Sequence, residues 1–353
     1  MLTNRTWRHG SRLIGGLAVT LVLVAGCGGA SGPETDAEGR EKVTVRTDVY
    51  FNGAALPLIA GVEQGIFEDH GLNVELNEGK ESATTIQTVG NGSDDIGYVD
   101  AGTLVQSVAQ GIDVKMVAGL VQESPLALYA MEDSGIREPA DLEGRTAGYT
   151  PGSAAERIFP AYAQAAGIDE RSVQFRNVDI PTRTELFMAG QTDFTFGLLN
   201  VSGPNISDKC DCEPTVLPYS DVGIHMLSSG IVASTDFAED RPETLEKFLA
   251  ALGEAVEEVN EDPDAAVRSF EQFAEGSTVD ASIVAKQWEV SMELHQTDAS
   301  EGDAFGCMAR EDWESTIELM ERYGDVPEGV VAVEDISSNA FNPQACSDEL
   351  GGA

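Results

Sequence analysis

The sequence predicts an α/β chain of two lobes, each a mainly parallel sheet flanked by helices, with a hinge between them. Three observations lead there. Short apolar strands alternate with helical stripes from residue 43 to residue 118. The alternation restarts after an apolar run at 125–131, and a second strand-like run at 225–234 leads into a helical C-terminal third. Two such crossings make a hinge, and 353 residues are long for one core but comfortable for two. The lobes are expected at 42–124 with 227–353, and at 125–226.

The segment ahead of the lobes reads as an export signal. Arg5, Arg8 and Arg12 form a basic start, and residues 13–25 are apolar. A membrane span needs about 20 apolar residues, so this run fits a secretory signal better. It ends in Val24-Ala25-Gly26-Cys27, which resembles the bacterial lipobox. Residues 1–26 are therefore expected to be cleaved as a lipoprotein signal peptide and Cys27 to carry lipid. The competing reading is an uncleaved anchor helix with Cys27 inside it. Residues 27–41, rich in Gly, Ser, Glu and Asp, are expected to be a flexible tether. The body would then sit on the extracytoplasmic side of the cell membrane, held by lipid alone.

The elements follow in order. Val43-Thr44-Val45 alternates like a strand, and a polar, aromatic loop follows it, Asp48-Val49-Tyr50-Phe51-Asn52-Gly53. Leu56, Leu58, Ile59, Val62 and Ile66 trace one helix that stops before Gly71. Strands are expected at 71–76, 95–99 and 114–118, with helices at 84–89 and 104–109 between them. In the second lobe, strands are expected at 145–149, 173–178, 193–199 and 215–219, with helices at 154–166 and 184–190. Pro242 suits a helix start, since its missing N–H is not needed there. Leu245, Phe248, Leu249, Leu252, Val256 and Val259 mark one buried helix face, and Trp313, Ile317 and Met320 another, ended by Gly324.

Charge and chemistry exclude several classes. Sixty-one acidic against 21 basic residues give a net charge of −40, a field that repels nucleic acid and anionic lipid heads. It reads as a solvated acidic surface and says little about a ligand. No Ser/His/Asp order, Walker loop, HExxH or dinucleotide fingerprint occurs. His70, His225 and His295 do not stand at ligand spacing with a Cys pair, so no metal site and no cofactor is expected.

With Cys27 assigned to lipid, Cys210, Cys212, Cys307 and Cys346 allow three disulfide connectivities. A bridge from the Cys210-Asp211-Cys212 loop to the C-terminal pair would staple the lobes and oppose a hinge. Cys307–Cys346 is therefore expected, with Cys210 and Cys212 either closing a small ring or staying as thiols.

Three segments in order carry a family resemblance. Gly65-Ile66-Phe67-Glu68-Asp69-His70-Gly71-Leu72-Asn73-Val74 resembles the G-x-F-x-x-x-G-L-x-V signature of solute-binding proteins for thiamine-precursor pyrimidines and alkylsulfonates. Gly61 stands where that family usually has Ala. Ile136-Arg137-Glu138-Pro139-Ala140-Asp141-Leu142-Glu143-Gly144-Arg145 and Gly148-Tyr149-Thr150-Pro151-Gly152-Ser153 continue the likeness. It implies a periplasmic-binding-protein fold of the second type, and a lipoprotein that hands a small solute to an ABC permease with its ATPase. The solutes implied are thiamine-pathway pyrimidines, riboflavin, alkylsulfonates, taurine or nitrate-like ions. The pyrimidine branch looks closest, because Tyr50-Phe51-Asn52 follows the first strand. That branch carries an acid after the Asn closing a later strand, whereas Asn200 is followed by Val201-Ser202-Gly203-Pro204.

The ligand residues expected are Asp48, Tyr50, Phe51, Asn52, Tyr98, Asp100, Tyr149, Ser153 and Asn200. The first four lie past the end of the first strand, where an aromatic face stacks a flat ligand and Asn donates and accepts. The alternative is a turn in which Asn52-Gly53 serves backbone geometry. Tyr98 and Asp100 end the third strand, with packing and helix capping as their alternatives. Ser153 begins a helix and, with Glu156, matches a capping box, while Gly152 permits close approach of a ligand. A catalytic pyrimidine-precursor synthase branch of the same superfamily uses a His; here His70 precedes Gly71 at a helix end, which suits a structural role. The expectation is a monomeric binding protein, not an enzyme; a synthase-like enzyme and a tethered ligand sensor are the competing readings.

Overall fold

A computed structural model describes residues 34–149, 153–178, 180–275 and 279–351. The segment expected as a signal peptide and Cys27 lie outside the described residues, as do Thr150, Pro151 and Gly152 of the third family-like segment. The first lobe opens with β1 (Glu41–Arg46), in which Val43 and Val45 are fully buried, as period-two alternation requires. Then come α1 (Leu56–Glu63), α2 (Ile66–Asp69), β2 (Leu72–Asn77), α3 (Ser82–Gly90), β3 (Ile96–Asp100), α4 (Ala101–Ala109) and β4 (Val114–Val121). The chain crosses into a second sheet with β5 (Leu126–Ala130), followed by β6 (Thr146–Tyr149), α5 (Ala154–Ala166), β7 (Gln174–Asn177) and α6 (Ile180–Met188). β8 (Phe194–Leu198), α7 (Ser202–Cys210) and β9 (Thr215–Pro218) complete it. β10 (Ser229–Ser234) returns to the first sheet, and α8 (Thr235–Asp240), α9 (Pro242–Glu261), α10 (Pro263–Phe273), α11 (Ala281–Glu293), α12 (Arg310–Tyr323) and α13 (Val333–Ile336) follow.

The strand orders are β2-β1-β3-β10-β4 and β7-β6-β8-β5-β9. In each sheet one strand runs against its neighbours, and it is the strand that has just crossed from the other lobe: β10 in the first, β5 in the second. The two sheets also match residue for residue. Val45 lies opposite Ile96 in one, and Ala147 opposite Phe194 in the other. Asp95 Oδ2 accepts the Thr44 N–H at 2.8 Å, and Asp193 Oδ2 accepts the Thr146 N–H at 2.7 Å. This register makes Arg46 the counterpart of Gly148 and Asp94 the counterpart of Thr192. Thr85 and Arg183 are each the fourth residue of the nine-residue helix that follows the edge strand.

Apolar burial explains the framework. α9 lays Leu245, Phe248, Leu252, Val256 and Val259 on the first lobe, with Phe248 stacked on Phe67 at 5.1 Å between ring centroids. The second lobe is filled by Phe159, Tyr162, Phe194, Phe196 and Tyr219.

Several local expectations change. The helix expected from Leu56 to Ile66 breaks at Gly65, whose φ of 78° lies in the left-handed region, so α1 and α2 are separate. The tether ends sooner than residue 41. Thr35 bridges Glu41, and Arg40 pairs with Asp36 at 2.7 Å, because the basic side chain finds carboxylates in its own turn. The segment expected as a loop through Cys210 is instead α7, with Pro204 near its start, where proline is tolerated. The return crossing forms a ladder only from Ser229 onward. Cys307 pairs with Cys346 (Cα–Cα 5.5 Å) and Cys210 with Cys212 (5.1 Å); Asp211, left-handed at φ 50°, folds the second pair back on itself.

Candidate functional site

The C-terminal ends of parallel strands face the cleft in sheets of this kind. On the first lobe that edge is acidic and aromatic. Asp48, just beyond β1, is partly buried, and its Oδ1 accepts the N–H of Val49 at 2.8 Å. Burial first, and then the charge of Asp100, push its carboxyl up to about 7. Asp100 ends β3 and caps α4, its Oδ1 accepting the N–H and the hydroxyl of Thr103 at 2.8 and 2.9 Å. Burial raises its pKa too, while Arg157 of α5 opposes the rise. Tyr98 is 4% exposed, beside Ser229 and both carboxylates, and burial lifts its phenol upward. Tyr50 is 46% exposed, and its phenol is raised by burial and by Asp48. These four side chains form one cluster.

Two residues expected in the same loop are turned to other work. The Phe51 ring enters the core edge-on to Phe273 at 5.4 Å, because it is the apolar member of a polar loop. It does not offer a free stacking face. Asn52 caps the turn Gly53–Ala55, its Oδ1 accepting the Ala54 N–H at 2.9 Å and its Nδ2 donating to the Tyr50 carbonyl at 3.2 Å. Both ends of its amide are thereby engaged.

The second lobe brings Tyr149 to the end of β6, partly buried and 5.4 Å from the ring of Phe175. Ser153 caps α5, accepting the Glu156 N–H at 3.4 Å. Asn200 is 4% exposed; its Nδ2 donates to Ser291 Oγ at 2.9 Å, and its Oδ1 has no partner among the described residues.

Residues outside the sequence expectation join the lobes. Gln287 of α11 is fully buried, its Oε1 accepting the Gly53 N–H at 2.8 Å and its Nε2 donating to the Val201 carbonyl at 3.4 Å. A Cβ on Gly53 would stand 2.3 Å from that of Gln287, so glycine is required at this contact. On the opposite flank, Arg157 Nη1 donates to Gln106 Oε1 at 2.9 Å, and Gln164 accepts from Tyr323 at 2.9 Å. A signal for Gln287 was present: a polar residue on the apolar stripe of Ile283, Val284 and Trp288. Beside the crossings, the Gln122 and Glu123 N–H groups donate to the Leu294 carbonyl, and His225 Nδ1 lies 3.1 Å from Glu123 Oε1. His70 pairs with Glu254 at 2.8 Å, away from this cluster. Chemically, the arrangement offers a carboxyl with no paired cation among the described residues, phenol faces and bridging amides, which suits holding a donor-bearing solute.

This is a two-lobed α/β binding fold, and likeness to solved structures agrees. The aliphatic sulphonate binding protein SsuA of Escherichia coli superposes with a TM-score of 0.63 at 16% identity, covering 81% of this chain and 89% of that one. The family described as NMT1/THI5 like matches residues 52–266, more than half of the sequence, and the chain belongs to it. Over 91% of this chain and 97% of the relative, it is 23% identical to the formylaminopyrimidine-binding protein of Halalkalibacterium halodurans. A 4-amino-5-hydroxymethyl-2-methylpyrimidine phosphate synthase of Legionella pneumophila is 24% identical over 48% of this chain and 54% of the relative.

Proposed function

We propose that the chain is the extracytoplasmic binding component of an ABC importer, tethered through lipid on Cys27, that captures a small amine-bearing solute such as a thiamine-pathway pyrimidine between its lobes. The observation that carries this is Asp48, a carboxyl raised to about 7 by burial, with no cation paired to it among the described residues. The acid missing after Asn200 is replaced in this reading by Asp48 and Asp100, from the opposite lobe. An exocyclic amine donates to that pair, and the ring lies against Tyr50 and Tyr98. Similarity to the formylaminopyrimidine-binding protein over nearly the whole chain supports the same reading. Closure about crossings near Pro125 and His225 would bury the solute.

Calorimetry with 4-amino-5-hydroxymethyl-2-methylpyrimidine as probe tests it. Saturable binding is expected, weakened about tenfold or more in Asp48→Asn, as for a buried polar contact left unmade. Equal binding of the 4-hydroxy counterpart, or of the variant, would contradict the amine reading. Cys27→Ser should release the protein from membranes or stall its processing.

A further inference from the structure

The matched register of the two sheets exposes a cation that the first lobe pairs and the second does not. In the first lobe Arg46 makes a two-pronged pair with Asp94, Nε to Oδ2 at 2.6 Å and Nη2 to Oδ1 at 3.1 Å, and Asp94 is 3% exposed. At the matching places the second lobe has Gly148 and Thr192, so both cation and acid are gone. A different cation fills the space. Arg183, in the first turn of α6, brings its Cγ to 3.3 Å from where a Cβ on Gly148 would stand, and the Thr192 side chain adjoins the same point at 3.5 Å. Arg183 is only 8% exposed. It has neither ion pair nor hydrogen bond among the described residues, and its buried Nε is without an acceptor, as is the Thr192 hydroxyl. Burial lowers the guanidinium pKa, though an arginine remains charged.

A buried guanidinium with no partner among the described residues is costly. Its position says where an acceptor would come from. α6 begins after β7, whose last residue Asn177 lies opposite Tyr149, the end of β6. Long helical side chains lean toward their helix N-terminus, which here is the cleft edge. The first-lobe counterpart shows that reach: Thr85, fully buried, donates its hydroxyl at 2.8 Å to the carbonyl of Thr47, just past β1.

We infer that Arg183 is a ligand-binding residue, the second lobe's site for an oxyanion group (carboxylate, sulfonate or phosphate) at the end of β6. This rests on the proposed solute-binding function and adds to it: the solute carries a donor for Asp48 at one end and an anion for Arg183 at the other. A planar guanidinium suits two parallel bonds to such a group.

The test uses the folded full body, 15N-labelled, with methanesulfonate and acetate titrated against chloride at constant ionic strength. One arginine Nε–H resonance, absent from Arg183→Met and Arg183→Lys, should shift saturably. Affinity should fall at least tenfold in Arg183→Met. Without anion, that variant should melt at or above the parent temperature, since it loses an unpaired buried charge. A merely structural arginine would do the reverse, and a lower melting temperature with undiminished anion binding would overturn the assignment. So would the absence of a saturable shift at Arg183 in the parent, a measurement that does not need Arg183→Met to fold. Asp48→Asn should leave the anion response intact, so failure at Arg183 and failure of the amine reading at Asp48 give different results.

Discussion

The two lobes share one sheet plan and differ in how they treat charge. The first keeps its cation satisfied, Arg46 on the buried Asp94, and leaves a carboxyl, Asp48, without a cation among the described residues. The second keeps the Thr146–Asp193 contact of the common plan but leaves Arg183 unpaired among the described residues and puts Thr192 where the acid would stand. The two lobes thus carry opposite unmet charges among the described residues. The lesson is that a repeated scaffold fixes strand edges and helix starts, while departures from the repeat mark places kept free for something else.

Four changes break or sharpen that contrast. Each lobe has one disulfide, and the two should differ most. Opening Cys307–Cys346, 39 residues apart, should cost about 4 kcal/mol by loop entropy, and opening Cys210–Cys212 only about 1.5 kcal/mol. Denaturant unfolding of the two Cys→Ser pairs measures this. Gln287→Ala removes the amide that spans both lobes and should cost about 2–3 kcal/mol, for a cavity and two unpaired backbone groups. Hydrogen exchange at Gly53 should quicken with it. Arg46→Leu strands the buried Asp94 and should cost about 2 kcal/mol, discounted because Arg46 is partly exposed. Arg183→Met should cost nothing, and equal losses in the two would erase the contrast.

A further effect is one of pH. Folding lifts the Asp48 carboxyl from 3.8 to about 7, so the folded chain binds this proton more tightly than the unfolded chain. Its contribution is therefore fully favourable below pH 3.8, falls as pH rises through that interval, and levels off above about 7. Asp48→Asn should flatten this part of the stability profile by about 2 °C in melting temperature, read by calorimetry at pH 4.5 and 7.5.

Much of the architecture was legible in the residues. Alternation gave β1, apolar runs gave β3 and β5, and the stripe through Leu245, Phe248 and Leu252 gave α9. The strand-and-helix rhythm was enough to expect two lobes, because period and burial are local properties. The break at Gly65 was not, since a glycine inside a stripe reads equally as a tolerated residue or a stop. α7 was hidden by Gly203, Pro204 and a Cys-Asp-Cys run that looks like a loop. At the site, residue type pointed to Asp48, Tyr50, Tyr98 and Asp100, but could not say which way Phe51 turns or that Asn52 spends its amide on the chain. Arg183 was invisible for a plainer reason. Its meaning lies in the acid it lacks, and that appears only when Gly148, Thr192 and their first-lobe counterparts are superposed.

The most direct test of a cleft with opposite unmet charges is native mass spectrometry of the body, isolated without denaturation from cells that make it. One co-purified molecule per chain is expected, carrying both an amino donor and an acidic group, displaced by unfolding and absent from the Asp48→Asn/Arg183→Met double variant. A bound solute lacking either group, or one retained unchanged by the folded double variant, would contradict it.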